Sequence, residues 1–137
     1  MVRILGIDPG TKRCGVAITD SGETMAFPRE ALENGDDFVA RVMSLASDEG
    51  VELIVVGRPV SLAGRETAST SFADALYARL SASADVPVVQ HDERLTTTAA
   101  QRSLSDAGIK TKNHRARIDS AAAAVMLQHF ADARRAR

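Results

Sequence analysis

GIDPGTKRCGVAITD, residues 6–20, places a carboxylate, Asp8, where an apolar run stops. A Pro-Gly pair follows, then Thr11 and Lys12, then a second apolar run that closes on Asp20. Residues 2–8 (VRILGID) read as a strand rich in branched apolar side chains, and residues 14–19 (CGVAIT) as its partner across a turn. Alternation puts Ile4, Gly6 and Asp8 on one face. A carboxylate among apolar neighbours is costly to bury unless it is paired or binds a metal. Pro9-Gly10 suits the centre of a type II turn, with Pro fixing one dihedral and Gly taking the positive one. Backbone N–H groups near Thr11 and Lys12 are then left to approach a phosphate.

Residues 23–28 (ETMAFP) read as a third, weaker strand, and the short connections predict an antiparallel meander. Asn34 and Asp36 offer N-caps to a helix through Phe38, Val39, Val42, Met43, Leu45 and Ala46, which Gly50 ends. LIVVG, residues 53–57, is a continuous apolar run with the pattern of a strand covered on both faces. The loop RPVSLAG leads to a helix through Phe72, Leu76 and Leu80. PVVQHDE, residues 87–93, is a further strand ending in acid, and helices follow at about 96–107 and 117–132. The order predicts a single α/β domain over residues 1–137. Its sheet is mixed and five-stranded, a meander of three strands and then two parallel strands, with helices on both faces. That order matches the ribonuclease-H-like architecture.

A chain of 137 residues is long enough to bury a core. No apolar run approaches the length of a membrane span, and MVRILGID lacks the order of a signal peptide, so a cytoplasmic location is expected. The lone cysteine, Cys14, sits among apolar neighbours and reads as a small core residue. With 17 basic and 18 acidic residues, the net charge is −1, so nucleic-acid binding would need local patches. GIKTKNHRARID, residues 108–119, is one such patch, with Lys110, Lys112, His114, Arg115 and Arg117. Arg134, Arg135 and Arg137 form another. Aromatic residues are too few for an evident base-stacking platform.

Asp8 is one of three acidic features at element ends. Asp92 and Glu93 close the strand at 87–93 and point to opposite faces, so one of them shares a face with Asp8. Asp119 lies in the first turn of an apolar helix, aligned with Ala123, Met126 and Phe130. Three carboxylates on inward-looking faces at one end of the sheet suggest a shared site for Mg²⁺ or Mn²⁺. A zinc site lacks its Cys-x-x-Cys or His-x-x-x-His spacing, and serine-hydrolase chemistry lacks a G-x-S-x-G elbow. Each acid also has a plain structural reading: Asp8 as a turn cap, Asp92 and Glu93 as surface charges, Asp119 as a charge favoured by the helix dipole. His91 and His114 read as ordinary polar residues, and Arg58 and Arg65 as residues flanking a loop.

The sequence resembles the YqgF family, also called RuvX-like, over nearly its whole length. GIDPGTKRCGVAITD (6–20), IVVGRPVSLAGRE (54–66), DERLTT (92–97) and IDSAAAAVMLQ (118–128) carry the resemblance. The family is ribonuclease-H-like and is associated with 5′-end maturation of 16S ribosomal RNA precursor and, by fold analogy, with four-way DNA junctions. The resemblance implies a metal-dependent endonuclease with Asp8, Glu93 and Asp119 as catalytic and metal-binding acids and Asp92 as a further candidate metal ligand. It implies in-line attack of water on a phosphodiester, with two Mg²⁺ or Mn²⁺ ions about 3.5–4 Å apart. Asp8 would bridge both ions, while Glu93 and Asp119 would each favour one. Lys12 and Arg58 would grip phosphates at the cleavage point, and Lys110, Lys112, Arg115 and Arg117 would track the nucleic-acid backbone farther out. The implied partner is precursor rRNA, free or within a pre-ribosomal particle, or a DNA junction, and the chain is a monomer or homodimer. PVSLAG departs from the family at Ser61 and Ala63, where many members carry Asn or Asp before the Gly. Cys14 replaces a more usual branched apolar residue. The rival readings are a Holliday junction resolvase, an RNA-binding assembly factor without cleavage, and an ATP-binding protein of the actin-like fold.

Overall fold

The computed structural model describes residues 2–59, 65–92 and 120–136. In chain order the elements are β1 (Arg3–Asp8), β2 (Arg13–Thr19), β3 (Ala26–Glu33), α1 (Phe38–Asp48), β4 (Val51–Arg58), α2 (Ala68–Ser83), β5 (Val88–Asp92) and α3 (Ala121–Arg135). The five strands form one sheet in the order β3-β2-β1-β4-β5. β2 pairs antiparallel with both β1 and β3, whereas β4 runs parallel to β1, and β5 parallel to β4. Asp8, Arg58 and Asp92 therefore end their strands at the same edge of the sheet. The expected mixed α/β architecture is the one observed.

Two cores sandwich the sheet. Leu5, Ile7, Val16, Ile54 and Val56 point to one face and pack with Phe38 and Val42 of α1 and with Leu76 and Leu80 of α2. Ile4, Ala17, Leu53 and Val55 point to the other and pack with Ala123, Met126 and Leu127 of α3. β1 and β4 are buried on both faces, which is why their sequences are continuously apolar rather than alternating.

β3 begins and ends later than the sequence predicts, at 26–33 rather than 23–28. Residues 29–33 mix Arg, Glu, Ala and Leu because β3 is an edge strand with one open side. Pro28 is tolerated there for the same reason, since an edge strand can spare an N–H. Its register against β2 shifts between Cys14 and Val16. The cap assignment at α1 also changes. Asp37, not Asn34 or Asp36, holds the N-cap position, and its side chain makes no capping bond. It pairs with Arg41 instead, at 2.7 Å. α2 carries a capping box, with Thr67 and Thr70 bonding each other's backbone N–H. The last helix runs to Arg135, past the expected end at 132. The helix expected at 96–107 lies outside the described residues.

Gly6 fixes how closely α3 lies on the sheet. A Cβ at this position would sit 3.0 Å from Leu127 Cβ. Gly6→Ala is expected to destabilise the protein by about 1–3 kcal/mol through overpacking. Because the two sites touch, Gly6→Ala combined with Leu127→Gly, which removes the contacting Cβ, should cost less than the sum of the single changes, measured by urea unfolding. Additive costs would show that the close approach is not what requires the glycine.

Candidate active site

Asp8 is half-buried at the C-terminal end of β1. Its strand neighbour in β2 is Gly15. Continuing the β1–β4 register one step past Ile7–Val56 puts Gly57 on the other side. Neither strand neighbour carries a side chain. A cavity of about 300 Å³ opens here, lined by residues Asp8 to Arg13 and by Gly15. The glycine of the turn is required for a different reason from the one the sequence suggests. Gly10 does not take a left-handed φ. A Cβ on it would lie 2.1 Å from the Arg13 carbonyl oxygen, so the tightness of the loop itself excludes a side chain. Asn34 Nδ2 donates to the Gly10 carbonyl at 3.0 Å, and the Cys14 thiol approaches the same oxygen at 3.6 Å. The Asn34 N–H donates to the Lys12 carbonyl at 2.8 Å. Lys12 is exposed on the loop.

On the other face, Arg58 is committed to partners within the protein. Its Nε donates to Asp74 Oδ1 at 2.9 Å, and its guanidinium also reaches Asp74 Oδ2 at 3.2 Å and Glu66 at 2.6 Å. Gln90 Nε2 donates to the same Asp74 Oδ1 at 2.8 Å. Alternation along β5 sets Val88, Gln90 and Asp92 toward α2, with Arg58 the register partner of Asp92. Asp8, in phase with Ile4, faces α3. The structure therefore does not bring Arg58 and Asp92 to the Asp8 face. It builds with Arg58 a clamp that ties α2 to the ends of β4 and β5.

His91 does lie on the α3 face, opposite Gly57 in the register. Its Nε2 is 3.1 Å from His129 Nδ1, and its ring meets Phe130 edge-on with centroids 5.8 Å apart. Burial, and then the neighbouring His129, push its imidazole below the usual pKa. The two histidines pin the end of β5 to α3. They are 38 residues apart, and no local pattern in the sequence announces the contact.

Ser120 is the other residue that sequence reasoning missed. It is fully buried, and its Oγ accepts the Val16 N–H at 3.0 Å. This seats the start of α3 on β2 one residue from Gly15. The tail arginines are structural where described: Arg134 bonds Glu23 at 2.7 Å, and Arg135 bonds the Glu23 carbonyl and Asp132. Glu93, Asp119, Lys110, Lys112, His114, Arg115, Arg117, Ser61, Ala63 and Arg137 lie outside the described residues. Among the described residues no three His, Cys, Asp or Glu side chains form a metal cluster. Asp8 itself is a hard oxygen donor at the rim of a polar cavity, and that chemistry fits Mg²⁺ or Mn²⁺.

Arg58, and then Gln90, hold the Asp74 carboxyl below the ordinary carboxylate value of 3.8. A lowered folded-state pKa gives stability that is present above the unfolded value and is lost as pH falls through the folded one. Asp74→Asn should therefore lower the melting temperature at pH 7. The gap to wild type should shrink as pH falls below 3.8, in a pH series of thermal melts. A gap independent of pH would show that the clamp does not depend on the carboxylate charge.

The family model described as RuvX: Holliday junction resolvase matches residues 2–133. A Leifsonia xyli protein named "Putative pre-16S rRNA nuclease" is 41% identical over 134 residues, covering 96% of this chain and 86% of its own. A Mycobacterium ulcerans protein of the same name is 43% identical, covering 97% of this chain and 80% of its own. Among solved structures, Thermus thermophilus RuvC in complex with a Holliday junction substrate superposes with a TM-score of 0.61 at 20% identity, covering 99% of this chain and 97% of that one. The fowlpox virus Holliday junction resolvase gives 0.58 at 13% identity, covering 96% and 99%. These two likenesses show a shared fold, and no described helix is long and apolar enough to cross a membrane. By the match of its family model to residues 2–133 and by its identity to these relatives, the chain belongs to the RuvX family.

Proposed function

We propose that the protein is a metal-dependent endonuclease that hydrolyses phosphodiester bonds in the 5′-end maturation of 16S ribosomal RNA precursor, in the cytoplasm. The observation that carries this reading is Asp8. It stands at the C-terminal end of the central strand, on the α3 face, beside a cavity walled by the tight loop 9–12. The names of the relatives support the RNA substrate. A Mg²⁺ or Mn²⁺ ion held by Asp8, Glu93 and Asp119 would supply charge neutralisation at the scissile phosphate. The chain's own contribution is positional. Asp8 is fixed in direction by the pairing of β1 with β2 and β4. Lys12 adds a cation next to the cavity, and backbone N–H groups of the loop bind phosphate oxygen. Arg58 supports the site from behind by holding β4 and β5 against α2. Lys110, Lys112, Arg115 and Arg117 would follow the nucleic acid beyond the cut, giving affinity that falls with salt.

The second reading is cleavage of four-way DNA junctions, favoured by the description of the matching family model. Paired cuts in a symmetric junction call for a dimer.

Wild type and Asp8→Asn are to be compared with Mg²⁺ or Mn²⁺ on a 16S precursor end and on a four-way junction. Asp8→Asn should lose cleavage to background while keeping the wild-type melting temperature to within a few degrees and retaining nucleic-acid binding. Cutting of the RNA supports rRNA maturation, and paired cutting of the junction alone moves the assignment to resolution. Full activity in Asp8→Asn would overturn the metal-centred site.

A further inference from the structure

We infer that Asn34 is a positioning residue for a backbone phosphate cradle, and that the Thr11 N–H is the donor it aims. The inference rests on the nuclease reading and adds to it the residue that shapes phosphate contact. Asn34 lies just after β3, where its sequence suggested a helix cap, yet α1 starts without it. Its two hydrogen bonds go to the loop instead. The side-chain amide takes the Gly10 carbonyl at 3.0 Å, and the main-chain N–H takes the Lys12 carbonyl at 2.8 Å. The Cys14 thiol, buried in the core on the α1 and α2 side, approaches the Gly10 carbonyl from below at 3.6 Å.

A trans peptide has its N–H directed opposite to its C=O, and the described chain has no cis peptide bond. Pulling the Gly10 carbonyl toward Asn34 and Cys14 therefore turns the Thr11 N–H away from them. Asn34 leads out of the outer strand, and Cys14 faces α1 and α2. The opposite direction is toward β1 and the α3 face, the face on which Asp8 lies. Asp8, which faces that side, and Thr11 both line the cavity of about 300 Å³, together with Lys12 and Arg13. An N–H fixed in this way, next to a cation, suits one non-bridging oxygen of a phosphodiester. The orientation is set before the ligand arrives, because the Gly10 carbonyl is already held by Asn34 Nδ2 at 3.0 Å and approached by the Cys14 thiol at 3.6 Å.

Asp8→Asn serves as the host for the test, since it removes the carboxylate that would repel a phosphate in the absence of metal. In ¹⁵N-labelled Asp8→Asn, titration with inorganic phosphate should shift the Thr11 amide resonance saturably. In Asp8→Asn/Asn34→Leu the same shift should need about tenfold more phosphate, the scale of one lost charge-assisted hydrogen bond. Core amides should keep their positions. Asn34→Asp, which sets an acceptor against the Gly10 carbonyl, is the second variant and should lose at least as much. In the otherwise native chain, Asn34→Leu should raise KM for precursor RNA while changing kcat much less. Equal phosphate titrations with and without Asn34, or a silent Thr11 amide, overturn the inference even if the RNA is cut. A Thr11 response that depends on Asn34 upholds it even if no nucleic acid is cut, in which case the nuclease reading fails alone.

Discussion

The bond from the Val16 N–H to Ser120 Oγ decides where α3 lies, and the candidate site depends on that placement. Val16 sits in the interior of the sheet at the point where the β2–β3 register shifts. Left unpaired, a buried N–H would cost about 1–3 kcal/mol, so the serine completes the sheet as well as starting the helix. Ser120 is fully buried, which leaves water no access to replace it. Farther along the same helix, Leu127 settles over Gly6, where only a glycine allows the backbones this close. Gln128 then accepts the Ala26 N–H at 2.9 Å, and Arg134 reaches Glu23 beyond it. One helix is thus stitched to β2, β1 and β3 in turn, and Ser120 at its start lies next to Gly15, the strand partner of Asp8.

The sheet divides its chemistry between its two faces. Toward α3 the strand ends present Asp8, Gly57 and His91 in a row. Toward α2 they present Arg58, Gln90 and Asp92, with Asp74 accepting from the first two. A one-residue step along a strand moves a side chain from one set to the other. Strand period therefore matters more than proximity in sequence. Arg58 follows Gly57 directly, yet it serves the packing of α2 while Gly57 lies next to Asp8. The positive charges that line the cavity with Asp8 are Lys12 and Arg13.

Much of this was legible in the sequence because period and burial leave marks. Doubly apolar β1 and β4, the turn between β1 and β2, and the stripe Ala123, Met126 and Phe130 all predicted the sheet and its flanking helices. What was not legible involves pairs distant along the chain. Ser120 with Val16, His91 with His129, and Asp74 with Arg58 and Gln90 have no local signature, since each polar partner alone looks like a solvated side chain. β3 lies later than its sequence pattern predicts because an edge strand keeps only one paired side and so loses the apolar pattern that marks the others. Asn34 reads as a cap in the sequence because a cap residue and a loop brace have the same composition. The difference lies in whether the groups it could serve belong to its own helix or to a strand turn far earlier in the chain.

The loop from Asp8 to Arg13 is braced at several points. Pro9 restricts one dihedral, Gly10 is hemmed in by the Arg13 carbonyl, Asn34 holds two carbonyls, and Cys14 lies beneath. The structure gives the buried Cys14 a use that no hydrocarbon could share. Burial pushes its thiol above the ordinary value of 9.0, so it stays protonated at neutral pH and remains a weak donor to the Gly10 carbonyl. A carbonyl drawn down by two donors is kept from turning up into the cavity. Electrostatic stabilisation of a reacting group is most effective when the dipoles around it need not reorganise as charge develops. In this chain the Gly10 carbonyl is held from behind, by one amide and one thiol acting on the back of a turn.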